Sequence, residues 1–165
     1  MTTYECYSII LQILISVIAF GTLFLYYRQL LVMSHQLESM QESSKAQSGL
    51  SLVGFLQAPE VRDARQVVRG ELSKKPHEHW SDQERTQASL VTANYDVAAA
   101  LIRSGLAPVE LIAANWGPSI KHCYEILEPF IKEHRAKPGA DPKYWSNFKW
   151  LYDQAKEIEI SRQSE

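Results

Sequence analysis

The side chains able to do chemistry are few and poorly grouped. The five histidines are His35, His77, His79, His122 and His134. His77 and His79 form an HxH pair in the polar run KKPHEHW, a spacing that can hold a metal ion when a third ligand joins it. No third ligand stands at a matching spacing, so a solvated loop is the expected reading. Cys6 and Cys123 lack metal-ligand spacing and lie on either side of a long apolar stretch, which reads as two free thiols in a reducing compartment. A small helical ribonuclease would set an arginine and a histidine a few residues apart on one helix. Here Arg69 precedes His77 with Pro76 between them, and His134 and Arg135 are adjacent in the reverse order, so neither fits. Gly49 and Gly54 lack the lysine and the strand of a phosphate loop, and there is no HExxH. The sequence therefore predicts no catalytic residue, no metal and no cofactor: a protein that is not an enzyme.

More suggestive are polar residues on or beside apolar helix faces. Arg65 lies beside the Val61–Val68 face, Asn94 and Asp96 flank Tyr95 within NYDVAAALIRSG, Asn115 precedes Trp116, and His122 precedes Cys123. One reading is internal hydrogen bonding, with Arg65 paired to Asp96 and Asn115 capping a helix at Pro118. The other is a small ligand pocket built from Arg65, Asp96, Asn115 and Trp116, because charged groups seldom approach a core without purpose.

Helices must position these residues. Pro59 suits a first helical position, and Val61, Ala64, Val68 and Leu72 follow at helical spacing. Ser81 and Glu84 form a capping box for a helix carrying Ala88, Val91, Tyr95, Ala98, Leu101 and Ile102, and Gly105 ends it. Pro108 opens a short helix through Ile112, which Trp116-Gly117-Pro118 breaks. Pro118 restarts a helix with the face Ile120, Cys123, Tyr124, Leu127 and Ile131, kinked at Pro129. Asp141-Pro142 is expected to cap a last helix carrying Trp145, Phe148, Leu151, Tyr152, Ala155 and Ile158. No segment shows strand alternation, so the fold class is all-α, with a bundle of four to five helices. Its size suffices for a core of its own.

The dominant element lies before this bundle. SIILQILISVIAFGTLFLYY, Ser8 to Tyr27, carries no charge, and about 20 such residues let a helix cross a bilayer core of roughly 30 Å. Tyr4 and Tyr7 precede it and Tyr26 and Tyr27 close it, as in an interfacial aromatic belt. No Lys or Arg lies before it, so it reads as an uncleaved anchor, not a signal peptide. Arg28 follows at once and Lys45 further on, which puts the C-terminal part in the cytoplasm by the positive-inside rule. The expected organisation is a short extracytoplasmic N-terminus (1–7), a transmembrane helix (8–27), a stalk helix and hinge (28–49), a cytoplasmic helical domain (50–160) and a polar tail (161–165). The hinge, or a fraying helix, is expected in Ser39–Gly49. Leu50–Leu56, too short to span a membrane, is expected to pack on the domain.

Stepping alternately four and three residues from Gln12 gives Gln12, Ser16, Ala19, Leu23, Tyr26, Leu30, Met33, Leu37 and Met40, one seam that begins polar and small and becomes apolar beyond the span. Membrane helices associate through small residues and interhelical hydrogen bonds, so the seam predicts a homo-oligomer; a polar stripe facing a central axis could also line a narrow pore. Single spans also carry isolated Ser and Thr residues that bond back to their own helix.

PEVRDARQVV, NYDVAAALIRSGL, the NWGPSI turn and YWSNFKWLYDQA together resemble a bacterial family of single-span membrane proteins with a helical cytoplasmic domain of unknown function. The resemblance covers roughly Leu50 to Lys156 and the anchor; it implies a fold and a bacterial inner-membrane location and no functional residues. A looser similarity of architecture is to small CRISPR-associated membrane proteins of anti-phage defence.

Seventeen Lys and Arg against nineteen Asp and Glu give a net charge of −2, with no strong nucleic-acid signal. The expected partners are membrane lipid, further copies of the chain, and a protein or small molecule at the cytoplasmic domain. The functional expectation is a non-enzymatic interaction or signalling module. The alternatives are a defence effector that permeabilises the membrane and a membrane-tethered enzyme acting on RNA or nucleotides.

Overall fold

The structure is a computed structural model that describes the backbone of residues 3–163 and the side chains of residues 11–161. The expectations placed on Tyr4, Cys6, Tyr7 and Ser8 as side chains, and on the last two residues of the tail, lie outside the described residues. The described chain is helical with no strand: α1 (Thr3–Leu56), α2 (Pro59–Gly70), two 3-10 turns (Leu72–Lys74 and His77–His79), α3 (Asp82–Arg103), α4 (Val109–Ala136) and α5 (Ser146–Gln163). Two compact units result, Met1–Ser44 and Lys45–Glu165. The first consists of the N-terminal part of α1. The second holds the end of α1 and α2 to α5.

Helical structure runs through Ser39–Gly49, where the sequence suggested a hinge or fraying. Gln, Glu, Met, Lys and Ala in this segment are strong helix formers, and together they outweigh its serines. At its end Gly49 is buried, with the Leu111 side chain so near that an added Cβ would lie 3.2 Å from it. Leu52 and Leu56 follow on a buried face, so LSLVGFL packs on the domain as its composition predicts.

The core of the second unit is built from the predicted apolar faces. Val68, Val91, Ile120, Leu127, Phe148 and Leu151 are fully buried, each contributing about 1.5–3 kcal/mol of transfer free energy. The capping box forms as the spacing requires: the Glu84 N–H donates to Ser81 Oγ, and the Glu84 carboxylate accepts the Ser81 N–H at 2.8 Å. Gly105 closes α3 with a φ of 81°, a conformation that costs a side-chain-bearing residue about 1–2 kcal/mol.

Two helix boundaries also differ from expectation. α4 is one helix from Val109 to Ala136 with Pro118 and Pro129 inside it, not two helices broken at Trp116-Gly117-Pro118. Each internal proline costs about 3 kcal/mol. Burial on both sides offsets this, Ile112 and Ala113 before Pro118 and Ile120, Cys123 and Leu127 after it. α5 begins at Ser146, so Asp141 does not cap it. Asp141 Oδ1 instead accepts the Lys143 N–H within the preceding turn. Trp145, just before α5, takes a φ of 58°, a strained conformation for a bulky residue. Its buried ring is fixed by His134 at 4.9 Å and Tyr144 at 4.4 Å, contacts that hold the strain in place.

Candidate functional site

The seam of α1 is accessible along its described length. Gln12, Ser16 and Ala19 are exposed, as are Leu23, Tyr26, Leu30, Met33, Leu37 and Met40. So are apolar residues on the other faces, including Leu14, Val17, Phe20 and Phe24. A helix apolar all round belongs in a core or in lipid, and none of the apolar window of this one is buried in the protein. It is long and apolar enough to cross a membrane. Thr22 bonds back to the Ile18 carbonyl at 2.8 Å, the self-satisfied arrangement ordinary in single spans.

The four residues proposed as a pocket are not drawn into one site by their contacts. Asp96 is half-buried on α3 and accepts the Phe148 N–H at 3.0 Å and the Asn147 side-chain amide at 3.3 Å. It caps α5 across the bundle, so its partner is not Arg65. Asn115 is exposed inside α4 and donates to the Leu111 carbonyl at 2.7 Å, so it caps no helix. Trp116 is half-buried and packs on the core. Arg65 is buried on α2, only 5% exposed, with its guanidinium 5.8 Å from the Tyr95 ring centroid.

Arg65 belongs to a different constellation, at the junction of α2, α3 and α4. The Tyr95 hydroxyl of α3 and the Ser119 hydroxyl of α4 lie 3.0 Å apart in a shared hydrogen bond. Burial pushes the Tyr95 phenol up to about 12, while Ser119 and Arg65 act on it in the opposite direction. One turn beyond Ser119, the buried Cys123 thiol is pushed up to about 11 by burial, against the pull of the Arg69 and Arg65 guanidiniums. Arg69 lies one turn after Arg65, exposed, with its Nε donating to the Arg65 carbonyl at 3.2 Å. Among the described residues no carboxylate forms an ion pair with either arginine, and Arg65 Nη1 is buried without a hydrogen-bond partner. Sequence reasoning marked Arg65 alone. Tyr95 and Cys123 read as core positions, and Ser119 carried no signal of its own.

The histidines are dispersed. His77 packs edge-on to Trp80 and lies 3.4 Å from the carboxylates of both Glu78 and Glu133. With His122 it lines an open cleft of about 580 Å³ between the 3-10 turns and α4. Among the described residues no three His, Cys, Asp or Glu side chains are placed to hold a metal ion. Arg85 anchors this region, donating to Glu133 at 3.2 Å and to the His77 carbonyl at 3.1 Å, and it holds the Glu133 carboxyl below its usual range.

Comparison with known proteins gives one match, to a family model described as a domain of unknown function, DUF4760, over residues 9–155. The match takes in the apolar part of α1 as well as α2 to α4 and the start of α5. No curated protein and no solved structure matches the chain.

Proposed function

The chain belongs to the DUF4760 family, and from that premise we propose that it is a membrane-anchored, non-enzymatic interaction or signalling module. The observation that carries this reading is the first part of α1, where the large apolar residues from Leu11 to Met40 are exposed on every face, while the second unit has a core of its own. The family's match begins at residue 9 and so takes in the apolar helix. In this reading residues 8–27 cross a bacterial inner membrane, with the N-terminus outside and the helical domain in the cytoplasm. Copies associate through the seam from Gln12 to Met40. Arg28, placed directly after the span, supports the orientation. A ligand or protein at the domain acts on the assembly to the extent that it binds one arrangement better than another.

The test uses the native cysteines. A membrane-impermeant maleimide applied to intact spheroplasts labels Cys6 in this topology, and the protein stays in the pellet after alkaline extraction. Extraction into the supernatant contradicts the anchor; Cys6 labelled only after lysis contradicts the orientation.

A second reading, an effector that permeabilises the membrane, is favoured by the exposed polar Gln12 and Ser16 at one end of the seam. It requires loss of membrane potential on expression, abolished by Gln12→Leu.

A further inference from the structure

A buried arginine needs a counter-charge. Removing a guanidinium from water costs several kcal/mol unless it is paired and hydrogen-bonded. Arg65 is 5% exposed, no carboxylate pairs with it among the described residues, and its Nη1 has no acceptor. The Tyr95 ring face, 5.8 Å away, is a weak substitute, worth about 0.5–2 kcal/mol. Arg69, four residues on, stands on the same side of α2, and like charges at this spacing repel. Two cations one turn apart with no anion between them make a helix face that is incomplete as it stands.

The groups around them are uncharged or cationic. Guanidinium groups donate and cannot accept. The Tyr95–Ser119 pair spends one hydroxyl proton on its shared bond, and the other is a donor an anion can compete for. Burial keeps the Tyr95 phenol and the Cys123 thiol uncharged at neutral pH, so neither supplies the missing negative charge. Arg65 lies at the buried end of this set, while Arg69 and the half-buried Ser119 reach the surface. An anion therefore has a reason to bind, and Arg69 and Ser119 are the accessible donors of the set.

We propose that the junction of α2, α3 and α4 is a binding site for a dianionic phosphate group, held by the guanidiniums of Arg65 and Arg69 and by the Tyr95–Ser119 hydroxyl pair. Two positive charges match the near −2 charge of a phosphate monoester at neutral pH, and planar guanidiniums suit its oxygens. A soluble phosphate and the headgroup of phosphatidic acid share this chemistry. The inference rests on the domain alone and stands whether or not α1 crosses a membrane.

The test is thermal unfolding of the full-length protein in detergent, titrated with inorganic phosphate against chloride at constant ionic strength. In parallel, nanodiscs of phosphatidylcholine are compared with and without phosphatidic acid, in phosphate-free buffer. The expected result is a saturable rise in Tm in at least one arm, which also identifies the source of the phosphate. Arg69→Gln, at an exposed position, is expected to fold and to weaken the apparent affinity at least about tenfold, the loss of a charged hydrogen bond. Ser119→Ala is expected to weaken it less. No saturable shift in either arm, or a shift that Arg69→Gln leaves unchanged, overturns the proposal.

Discussion

The carboxylate of Asp96 on α3 accepts the backbone N–H of Phe148 at 3.0 Å, in the first turn of α5. A residue from another helix thus satisfies a donor that α5 cannot satisfy itself. The same carboxylate takes the Asn147 amide, which in turn accepts from Arg103 at 2.8 Å. This network fixes α5 against α3 and places Phe148 on Tyr95, with ring centroids 5.0 Å apart.

Asp96→Ala is accordingly expected to destabilise the domain by about 1–2 kcal/mol, the range for losing a side-chain cap. Asp96→Asn keeps an acceptor and should lose less. Urea unfolding of both variants checks this. A neutral Asp96→Ala would show that α5 is held by its apolar face alone.

His134 gives the domain a pH dependence of definite sign. Its ring lies against Phe130, Tyr144 and Trp145, and burial, followed by the charge of Lys137, holds its pKa below the ordinary 6.5. The unfolded chain therefore binds the proton more readily than the folded one. Stability from this residue is complete above about pH 6.5 and falls as pH drops through that value toward the folded pKa. Glu133, whose carboxyl is held below its ordinary 4.5 chiefly by Arg85, adds a separate loss at lower pH. Unfolding midpoints between about pH 7.5 and 5 should fall for the native chain and fall less for His134→Gln.

The Cys123 thiol should be inert in the folded protein. It is fully buried, and burial pushes its pKa up to about 11, so the reactive thiolate is scarce at neutral pH. Maleimide at pH 7.5 in detergent is expected to modify one cysteine in the native protein and two after denaturation. Rapid modification of both without denaturant would contradict the packing of α4.

The sequence disclosed what is local. The Ser81–Glu84 capping box, the Gly105 stop and the buried faces of α2 and α3 all follow from spacings of three or four residues. Position by position, the failures are long-range. Pro118 and Pro129 read as breaks because their cost is local, while the burial that offsets it comes from other helices. The start of α5 was misplaced at Asp141 because its cap, Asp96, lies 52 residues from Phe148. The Arg65–Tyr95–Ser119 constellation joins three helices. On a helical projection Tyr95 reads only as core, and a single serine on α4 carries no periodic signal. That Gln12 to Met40 lie on one continuous helix was legible, because forming it needs no contact from another element.

Association through that seam is the central claim, and Gln12 is its most exacting residue. A lone amide in hydrocarbon costs several kcal/mol, and a second copy of Gln12 across an axis would satisfy it, with a net gain of about 1 kcal/mol per bond. The decisive measurement is the mass of the full-length protein in detergent micelles or nanodiscs, beside Gln12→Leu and a Lys45–Glu165 fragment. The account predicts a defined oligomer for the native chain, a weakened one for Gln12→Leu and a monomeric fragment. A monomeric full-length protein, or an oligomer that the fragment reproduces, would contradict assembly through the seam.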